Sequence, residues 1–430
     1  MLIENCSIFS RKGIKKGSIS VENNVIGRIG KALKKGRDEE RIDVNGRLVL
    51  PGMVCAHTHT YSAFAFAFPA KDKSEDLEGI LKNLWWQLDQ CLDRETVYWS
   101  AVLTSRRYLR NGVTTLIDHH ASPNALRGSL STLVEGFKKF GIRSCLSYEV
   151  TDRYGEKKAR EAIRENERFA REFGGGRKDE MFSALFGLHA SFTLSSETLQ
   201  KCFEIANKLD VGFHLHLAEG KVDVTDALKR FKKPLIQHLM NEGILNKKTL
   251  AAHCVNLNKK DLQLLKKTNA KVITNPRSNA NNGVGMMPLD GMLREGITVG
   301  IGNDGLGYDM IEETKALQCM HSLSAKRPSV LSSEILNEIL FLNNSKIASS
   351  LFKKKVGEIS EGAYADLVIM DVKPFDNKLN LMNLDTSLVD SVIVDGGWKI
   401  KNKKFVFGLE ESEKEIERVA KRIRKKRLQF

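Results

Sequence analysis

The stretch PGMVCAHTH, residues 51–59, joins an apolar β-type run to two histidines that are separated by one residue. Side chains alternate along an extended segment, so His57 and His59 point to the same side and are placed to hold one cation between them. A His-x-His pair on its own is weak support for a metal site. Its meaning depends on the residues at the ends of the other strands.

The middle of the chain, residues 51–355, alternates β-branched runs with longer helical patterns. Helical stretches such as 95–110, 156–173 and 195–208 separate eight predicted strands. The strands are predicted at 49–55, 114–118, 143–150, 182–188, 212–217, 249–252, 271–274 and 297–302. This order predicts an α/β fold, a (β/α)8 TIM barrel with insertions. A doubly wound sheet is the alternative, but no G-x-G-x-x-G follows the first strand.

The two ends of the chain have a different character from the middle. Residues 1–50 and 356–408 consist of short β-type runs and turns, and Asn45-Gly46 between two such runs predicts a hairpin. We therefore expect both termini to form one small β-sandwich domain beside the barrel. Residues 409–430 predict a charged helix with a sparse apolar stripe, which packs on the barrel or on a second subunit of a homodimer.

Composition limits the class of protein. The chain has 430 residues, of which 41% are hydrophobic and 28% charged, as is typical of a soluble globular protein. It lacks a run of eighteen uncharged apolar residues, and its first residues, MLIENCSIFSRKG, are too polar for a signal peptide. A cytoplasmic protein is therefore expected. Seven scattered cysteines without a C-x-x-C pair argue against disulfides and against a cysteine zinc site.

The formal net charge of +15 raises the alternative of a nucleic acid or anionic partner. The excess lysines lie in short surface-type runs at 31–35, 229–233 and 353–355, and the densest basic run is 421–427. An RNP-like aromatic box or a zinc finger does not accompany them. We therefore expect a solvated basic surface and a small-molecule substrate, with neither nucleic acid nor membrane as a partner.

Histidines and one aspartate fall at the ends of the predicted strands. The carboxyl ends of parallel barrel strands open on one face, where active sites lie, so residues at these ends are expected to converge. They are His57 and His59 at the first strand, His119 and His120 at the second, His189 at the fourth, His214 and His216 at the fifth, His253 at the sixth and Asp304 at the eighth. A third imidazole and a carboxylate from other strands would complete a metal site with His57 and His59.

Two histidines of the fifth strand, His214 and His216, lie on the same side of it. Glu219 follows His216 by three residues, in the loop beyond the strand, where a carboxylate suits proton transfer beside a bound ion. We therefore take His216 as the ligand and His214, deeper in the barrel, as a packed and hydrogen-bonded residue. A divalent ion in such a site lowers the pKa of its bound water to about 7.

Several motifs together resemble the amidohydrolase superfamily, in its cytosine-deaminase-like, chlorohydrolase and guanine-deaminase branch. They are PGMVCAHTH (51–59), HLHLAE (214–219), His253 and GNDG (302–305), and EGAYADLVIMD (361–371) is similar to the returning strand of the family's β-domain. A narrower likeness to SsnA-type aminohydrolases rests on LKNLWWQLDQCLD (81–93), IDHHASP (117–123), GSLSTL (128–133), NPRSNANNGVG (275–285) and GNDGLGYDM (302–310). The likeness covers the chain apart from the last helix.

This resemblance implies a distorted (β/α)8 barrel with a β-sandwich built from both termini. It also implies one divalent ion, zinc or iron, whose ligands are His57, His59, His216 and Asp304. Binuclear relatives have a bridging lysine at the end of the fourth strand, whereas FSALFGLHA (182–190) has none, which favours one metal.

The implied reaction is metal-dependent hydrolysis of a C–N bond in an aminated N-heterocycle such as a purine, that is, a deamination. Its catalytic residues would be Glu219, His253 and Asp304. Expected substrate contacts at the same rim are His119, His120, His189, Arg277 and Asn279. For His119 and His120, one buried ring and one ring in the pocket is an equal alternative.

The loop YSAFAFAFPA (61–70) has Phe66 where the family often has an arginine, so Phe64, Phe66 and Phe68 either stack on a ring or pack the lid. Hydrolytic opening of a cyclic amide and a non-catalytic scaffold are the alternative functions.

Overall fold

The protein is described by a computed structural model that covers residues 1–31, 33, 40–70 and 73–428. Its strands are β1 (Leu2–Ser10), β2 (Gly13–Glu22), β3 (Val25–Gly30), β4 (Arg41–Asp43), β5 (Leu48–Pro51), β6 (Met53–Thr58), β7 (Val113–His120), β8 (Arg143–Tyr148), β9 (Phe182–Ala184), β10 (Phe186–Ala190), β11 (Phe213–Leu217), β12 (Leu250–His253), β13 (Lys271–Thr274), β14 (Val299–Ile301), β15 (Leu367–Met370), β16 (Val389–Val394), β17 (Gly397–Lys401) and β18 (Lys404–Phe405).

Its α-helices are α1 (Leu77–Ile80), α2 (Trp86–Cys91), α3 (Arg94–Arg110), α4 (Ser129–Phe140), α5 (Glu156–Phe173), α6 (Ser196–Leu209), α7 (Lys221–Phe231), α8 (Leu235–Asn241), α9 (Lys259–Thr268), α10 (Pro276–Asn281), α11 (Leu289–Arg294), α12 (Met310–Ala325), α13 (Ser333–Asn337), α14 (Asn344–Ser349) and α15 (Glu410–Arg427). A 3₁₀ segment spans Thr60–Ala67, and a π-helical turn, Leu81–Trp85, joins α1 to α2.

Strands β6 to β14 form the wall of a barrel. β6 to β9 are parallel neighbours, and β10 to β14 are a second parallel set. A bridge between Val150 and Leu188 joins the two sets on one side, and a bridge between Thr58 and Asp304 joins the first strand to the end of the last on the other. Because β9 and β10 are two halves of the fourth strand, eight strands close into a ring, and the predicted (β/α)8 barrel is confirmed.

Both termini build a second sheet, in the order β18-β17-β16-β15-β5-β1-β2-β3, with β4 beside β1. Residues from both ends of the chain share its apolar core, among them Ile3, Ile19, Leu367 and Ile393. The expectation that the termini form one β-structure is therefore confirmed.

Two local predictions are wrong. Residues 49–55 are not one strand, because Leu48–Pro51 belongs to the terminal sheet and Met53–Thr58 begins the barrel. Gly52 lies at the break, where a Cβ atom would be only 2.1 Å from the side-chain oxygen of Thr114. Asn45 and Gly46 do form a turn, with φ of 52° and 77°, but β4 and β5 both run parallel to β1, so there is no hairpin.

The last helix packs on its own chain. Val419 and Ile423 of α15 are fully buried. Lys426 Nζ donates to the carbonyl oxygen of Cys91 at 2.7 Å, and Arg427 donates to the carbonyl oxygen of Pro69 at 2.9 Å and to Gln87 Oε1 at 2.7 Å. The sequence left two positions open for this helix, on the barrel or on a second subunit. In the structure its apolar stripe packs on the barrel.

Two other expectations from composition are confirmed. Within the described part of the chain, none of the helices is both long and apolar enough to cross a membrane. All seven cysteines are free.

A buried arginine ties the barrel to the terminal sheet. Arg143, at the start of β8, and Asp366, just before β15, are each 0% exposed, and Arg143 Nε lies 2.9 Å from Asp366 Oδ2. A second carboxylate, of Asp395, lies 3.1 Å from Nη2, and the guanidinium stacks 3.8 Å from the ring centroid of Tyr364. A buried charge is tolerated only where it is paired in this way.

Arg143→Met should therefore lower the free energy of unfolding by about 3–5 kcal/mol, because Asp366 is left buried without its counter-charge. Urea denaturation followed by circular dichroism measures the change. Arg41→Met, which breaks a pair with Glu4 in which the arginine is 63% exposed, is the control and should move the midpoint much less. Equal midpoints for the two variants would contradict the prediction.

Candidate metal centre and active site

The first and last barrel strands meet at the candidate site. β6 ends at Thr58, between His57 and His59, and Asp304 follows β14. The backbone N–H of Asp304 donates to the carbonyl oxygen of His57 at 3.1 Å, and the N–H of His59 donates to the carbonyl oxygen of Asp304 at 3.2 Å. Asp304 has a left-handed φ of 57°, which aspartate tolerates better than most residues.

Four side chains converge there, as the strand ends predict. One potential ligand atom from each of His57, His59, His216 and Asp304 lies within 4.8 Å of the other three. His59 Nε2 is 3.1 Å from His216 Nε2 and 2.8 Å from Asp304 Oδ1. His57 Nε2 is 3.3 Å from the same Asp304 oxygen.

The rings of His57 and His59 each make a hydrogen bond on the side that faces away from the cluster. His59 Nδ1 lies 2.6 Å from the carbonyl oxygen of His119 and donates to it, so in the neutral ring Nε2 carries the lone pair. His57 Nδ1 lies 2.8 Å from His214 Nε2, while His57 Nε2 is buried and makes no hydrogen bond. His59 Nε2 and His216 Nε2 are 3.1 Å apart, and at that distance the lone pairs of two neutral imidazoles repel unless a cation lies between them. The donor set, three imidazoles and one carboxylate, fits a divalent ion.

The charge states also fit a cation. Burial lowers the pKa of His57 to about 4, and it holds the pKa of His216 and of His214 well below the usual range. At His59 burial acts in the same direction, but the Asp304 carboxylate outweighs it and raises the pKa to about 9. Neutral imidazole is the form that binds metal. Because the carboxylate of Asp304 lies beside these imidazoles, the cluster attracts a cation.

A carboxylate and a fourth imidazole flank the cluster. Glu219, His253 and Asp304 form a second group of atoms within 4.8 Å, in which Glu219 Oε2 is 3.7 Å from His253 Nε2. His253 Nδ1 is 2.8 Å from Asn279 Oδ1 and therefore donates to it, which turns Nε2 toward the site as an acceptor. Burial raises the pKa of Glu219, which suits a group that must accept and release a proton near neutral pH.

An enclosed cavity opens beside this cluster. Its lining residues are His59, Tyr61, Leu81, Trp85, Trp86, Glu149, Arg153, His189, Ala190, Phe192, His216, Glu219, Gly220, Asp223, Asn282, Asp304 and Gly305. The cavity volume of about 40 Å³ has room for one or two waters. Leu81, Trp85 and Trp86 of this wall belong to a short helical excursion outside the barrel.

Of the five expected substrate contacts, the structure places His189 in the cavity wall, with Nδ1 3.0 Å from Thr193 Oγ1. The other four lie elsewhere. His119 is buried between the rings of His59 and His214. The remaining three have other partners: His120 contacts Ser122, Arg277 is 42% exposed beside Glu313, and Asn279 holds His253. Strand-end position alone did not distinguish side chains in the wall from those behind it.

The phenylalanines of the lid loop do not line the cavity. Phe64 and Phe68 are fully buried, and Phe66 is 61% exposed with the guanidinium of Arg107 over its ring. Of the two interpretations, the one in which this loop packs the lid agrees with the structure.

Many residues of the wall were missed from the sequence, among them two charged side chains and two tryptophans. Glu149 and Arg153 follow β8, and Trp85 and Trp86 belong to LKNLWWQLDQCLD. The strand-end rule would have found Glu149, because it comes directly after Tyr148, the last residue of β8. The predicted site was built on histidines, and the third strand ends without one. The tryptophans contributed to the family resemblance but were given no role.

A model of the amidohydrolase family matches residues 48–399. This chain belongs to the amidohydrolase family. The predicted family and the prediction of a metal-dependent hydrolase are confirmed at this level, while the narrower likeness to SsnA-type aminohydrolases stays a prediction.

Curated relatives of this amidohydrolase are named as deaminases. A 5-methylthioadenosine/S-adenosylhomocysteine deaminase of Thermococcus sibiricus is 30% identical over 92% of this chain and 93% of its own. A 5'-deoxyadenosine deaminase of Methanobrevibacter smithii is 29% identical over 94% of this chain and 93% of its own. These similarities span nearly the full length of both proteins.

Solved structures share the fold. An adenosine deaminase of Xanthomonas campestris with bound zinc superposes with a TM-score of 0.85 over 99% of this chain and 98% of its own, at 19% identity. An atrazine chlorohydrolase of Arthrobacter aurescens in complex with zinc gives a TM-score of 0.81 over 97% and 99%, at 18% identity. At these identities the likeness shows the fold, and two chemistries occur on it.

His214→Leu tests the second layer of the cluster. It should weaken divalent-metal affinity by about 10–100-fold, because His57 loses the partner that orients its ring. Competition with a chromogenic chelator measures the affinity. His238→Leu is the control, since that ring is buried outside the cluster and stacks on Phe231 at 3.8 Å. Equal metal affinities in the two variants would refute the role of His214.

Proposed function

We propose that this amidohydrolase is a metal-dependent deaminase that removes the amino group of an aminated N-heterocycle of the purine type. The observation that supports this best is the placement of Glu219 and His253 beside Asp304, at the edge of the histidine cluster. An acid–base carboxylate next to a Lewis-acid site is the arrangement that hydrolysis of a C–N bond requires. The names of the relatives, deaminases of adenosine derivatives, support the same reaction.

The metal proposal is one ion, zinc in preference to iron, held by His57, His59, His216 and Asp304. When bound, the ion would supply a Lewis acid that lowers the pKa of water at the site. The described residues offer three other groupings, and each reuses residues of the first. One contains His119 and Glu149, one contains His119 and His214, and the third is Glu219 and His253 with Asp304. The zinc in the similar structures supports the choice of metal.

The proposed roles follow from the contacts of each residue. Glu219 accepts a proton from the attacking water and passes it to a ring nitrogen. It then takes the remaining proton of the added hydroxyl group and delivers it to the leaving amine, so that water and the amino compound give an oxo compound and ammonia. His253, held by Asn279, orients the water through Nε2. Ser278 donates to Asp304 Oδ2 at 2.5 Å and so fixes the carboxylate. His189, in the cavity wall, donates or accepts at the ring edge.

Elemental analysis tests the metal proposal. Purified protein loaded with zinc should retain about one ion per chain, because each of the other groupings takes at least one residue from the proposed four ligands. About two ions per chain would contradict the mononuclear site. Full zinc retention in His59→Ala would contradict the ligand assignment.

Ammonia release tests the reaction. Zinc-loaded protein should release ammonia from an aminopurine or its nucleosides, and Glu219→Gln should lower kcat by about 10²–10⁴-fold with little change in metal content, because only proton transfer is lost. A coupled ammonia assay with a panel of aminopurines, cyclic amides and hydantoins measures this. Ring opening without ammonia would replace deamination by cyclic amide hydrolysis, and inactivity across the panel would favour a scaffold.

A matched control exists for Glu219. Glu242 lies 3.7 Å from the imidazole of His238, the same separation as between Glu219 and His253, but away from the cavity. Glu242→Gln should leave kcat unchanged. Loss of zinc in Glu219→Gln would instead make Glu219 a ligand.

A further inference from the structure

Two charged side chains in the cavity wall have no task in the proposed reaction. Glu149 is 2% exposed, and its Oε1 makes no hydrogen bond. Arg153, 11% exposed, donates through Nη2 to Asp89 at 2.8 Å, whereas its Nε and Nη1 are buried without a hydrogen-bond partner. Among the described residues, a salt bridge does not join Glu149 to Arg153. Each is left with unpaired polar atoms that a ligand can meet.

Buried polar atoms without a hydrogen-bond partner are unfavourable, and they persist where a ligand pairs with them. Here one wall offers a hydrogen-bond acceptor at Glu149 and two donors at Arg153. The two glutamates of the cavity approach the cluster from different sides. Glu149 groups with His59, His119 and His216, whereas Glu219 groups with His253 and Asp304. A ring that Glu219 protonates on one edge therefore presents another part to Glu149.

The backbone around both residues is held in place, and so is the guanidinium of Arg153. The N–H of Glu149 donates to the carbonyl oxygen of His120 at 2.8 Å, which fixes it at the end of β8. Asp152, next to Arg153, accepts from the N–H of Ser195 at 2.7 Å. The guanidinium of Arg153 lies 4.7 Å from the ring centroid of Trp86. The pair is thus a fixed part of the wall.

A role for Glu149 in orienting His59 is a weaker explanation. Its Oε1 is 3.3 Å from His59 Nδ1, but that nitrogen already lies 2.6 Å from the carbonyl oxygen of His119. A single N–H serves the nearer acceptor, so the carboxylate of Glu149 stays available.

We propose, on the basis of the deaminase function above, that Glu149 and Arg153 form a subsite for the side of an aminopurine that lies away from the reacting carbon. Glu149 accepts a hydrogen bond from an N–H or O–H of the substrate, and Arg153 donates to a neighbouring nitrogen or oxygen. For 6-aminopurine chemistry, two sources supply such a pair at the same place. They are N9–H beside N3 in the free base and the ribose hydroxyls in a nucleoside.

Two ligand pairs distinguish these sources. Adenine and 9-methyladenine differ in the N9–H, and adenosine and 2',3'-dideoxyadenosine differ in the ribose hydroxyls. In the zinc-loaded wild-type protein, one pair should differ by about 10–100-fold in affinity, as expected when a charged group loses its hydrogen-bond partner. In Glu149→Gln and in Arg153→Met that ratio should fall to near one, while zinc content stays at the wild-type level. Titration calorimetry measures binding, and ammonia release is measured in parallel.

The control is Glu313→Gln, which changes a fully buried carboxylate beside Arg277 that does not line the cavity and should keep the wild-type ratio. Wild-type ratios near one for both pairs, or ratios that survive both variants, would overturn the subsite, as would loss of zinc from Glu149→Gln. Should Glu149→Gln fail to fold, Arg153→Met decides alone. If the protein binds the two members of a pair with different affinity but releases no ammonia, the subsite stands and the deaminase proposal is refuted. If it releases ammonia but binds both members equally, the deaminase proposal stands and the subsite is refuted.

Discussion

The contact between the ends of β6 and β14 is the constraint on which the rest of the structure depends. Hydrogen bonds from Asp304 and His59 join the first and last strands and close the ring. The same bonds set the separation of the Asp304 carboxylate from the imidazoles of His57 and His59. Closure of the barrel and assembly of the cluster are therefore one event, and a shift of either strand would change both.

Burial then gives each group around this contact its chemical character. The imidazoles of His57 and His216 are neutral because the site excludes water, and His214 and the carbonyl of His119 fix which nitrogen faces the centre. Burial also raises the pKa of Glu219, so the group suited to proton transfer lies beside the cluster. A cation would neutralise the charge of Asp304 and separate the facing lone pairs.

Residues at strand ends could be predicted from the sequence. Residues whose position depends on the helices and loops between the strands were missed. Histidines that follow apolar β-type runs must reach the open face of a parallel barrel, so the cluster was predictable. Asn279 belongs to α10, where helical turns, and not a strand end, decide its direction, and it holds His253 from behind. The strand-end rule also applies to Glu149, but the predicted site was built on histidines, so this glutamate was missed. The turn at Asn45-Gly46 was recognised, but pairing with β1 depends on distant residues.

Access to the cavity connects the site to the last helix. Trp85 and Trp86 line the cavity from the junction of a π-helical turn with α2, a type of turn that often lies at functional sites. Two basic residues of α15 form hydrogen bonds on both sides of this turn. Arg427 donates to the carbonyl oxygen of Pro69 before it and to Gln87 after it, and Lys426 donates to the carbonyl oxygen of Cys91. The π-helical turn with Trp85 thus lies between two attachments to α15, and Trp86 after it packs against the guanidinium of Arg153. The last helix therefore helps to set where this part of the cavity wall lies relative to the metal ligands.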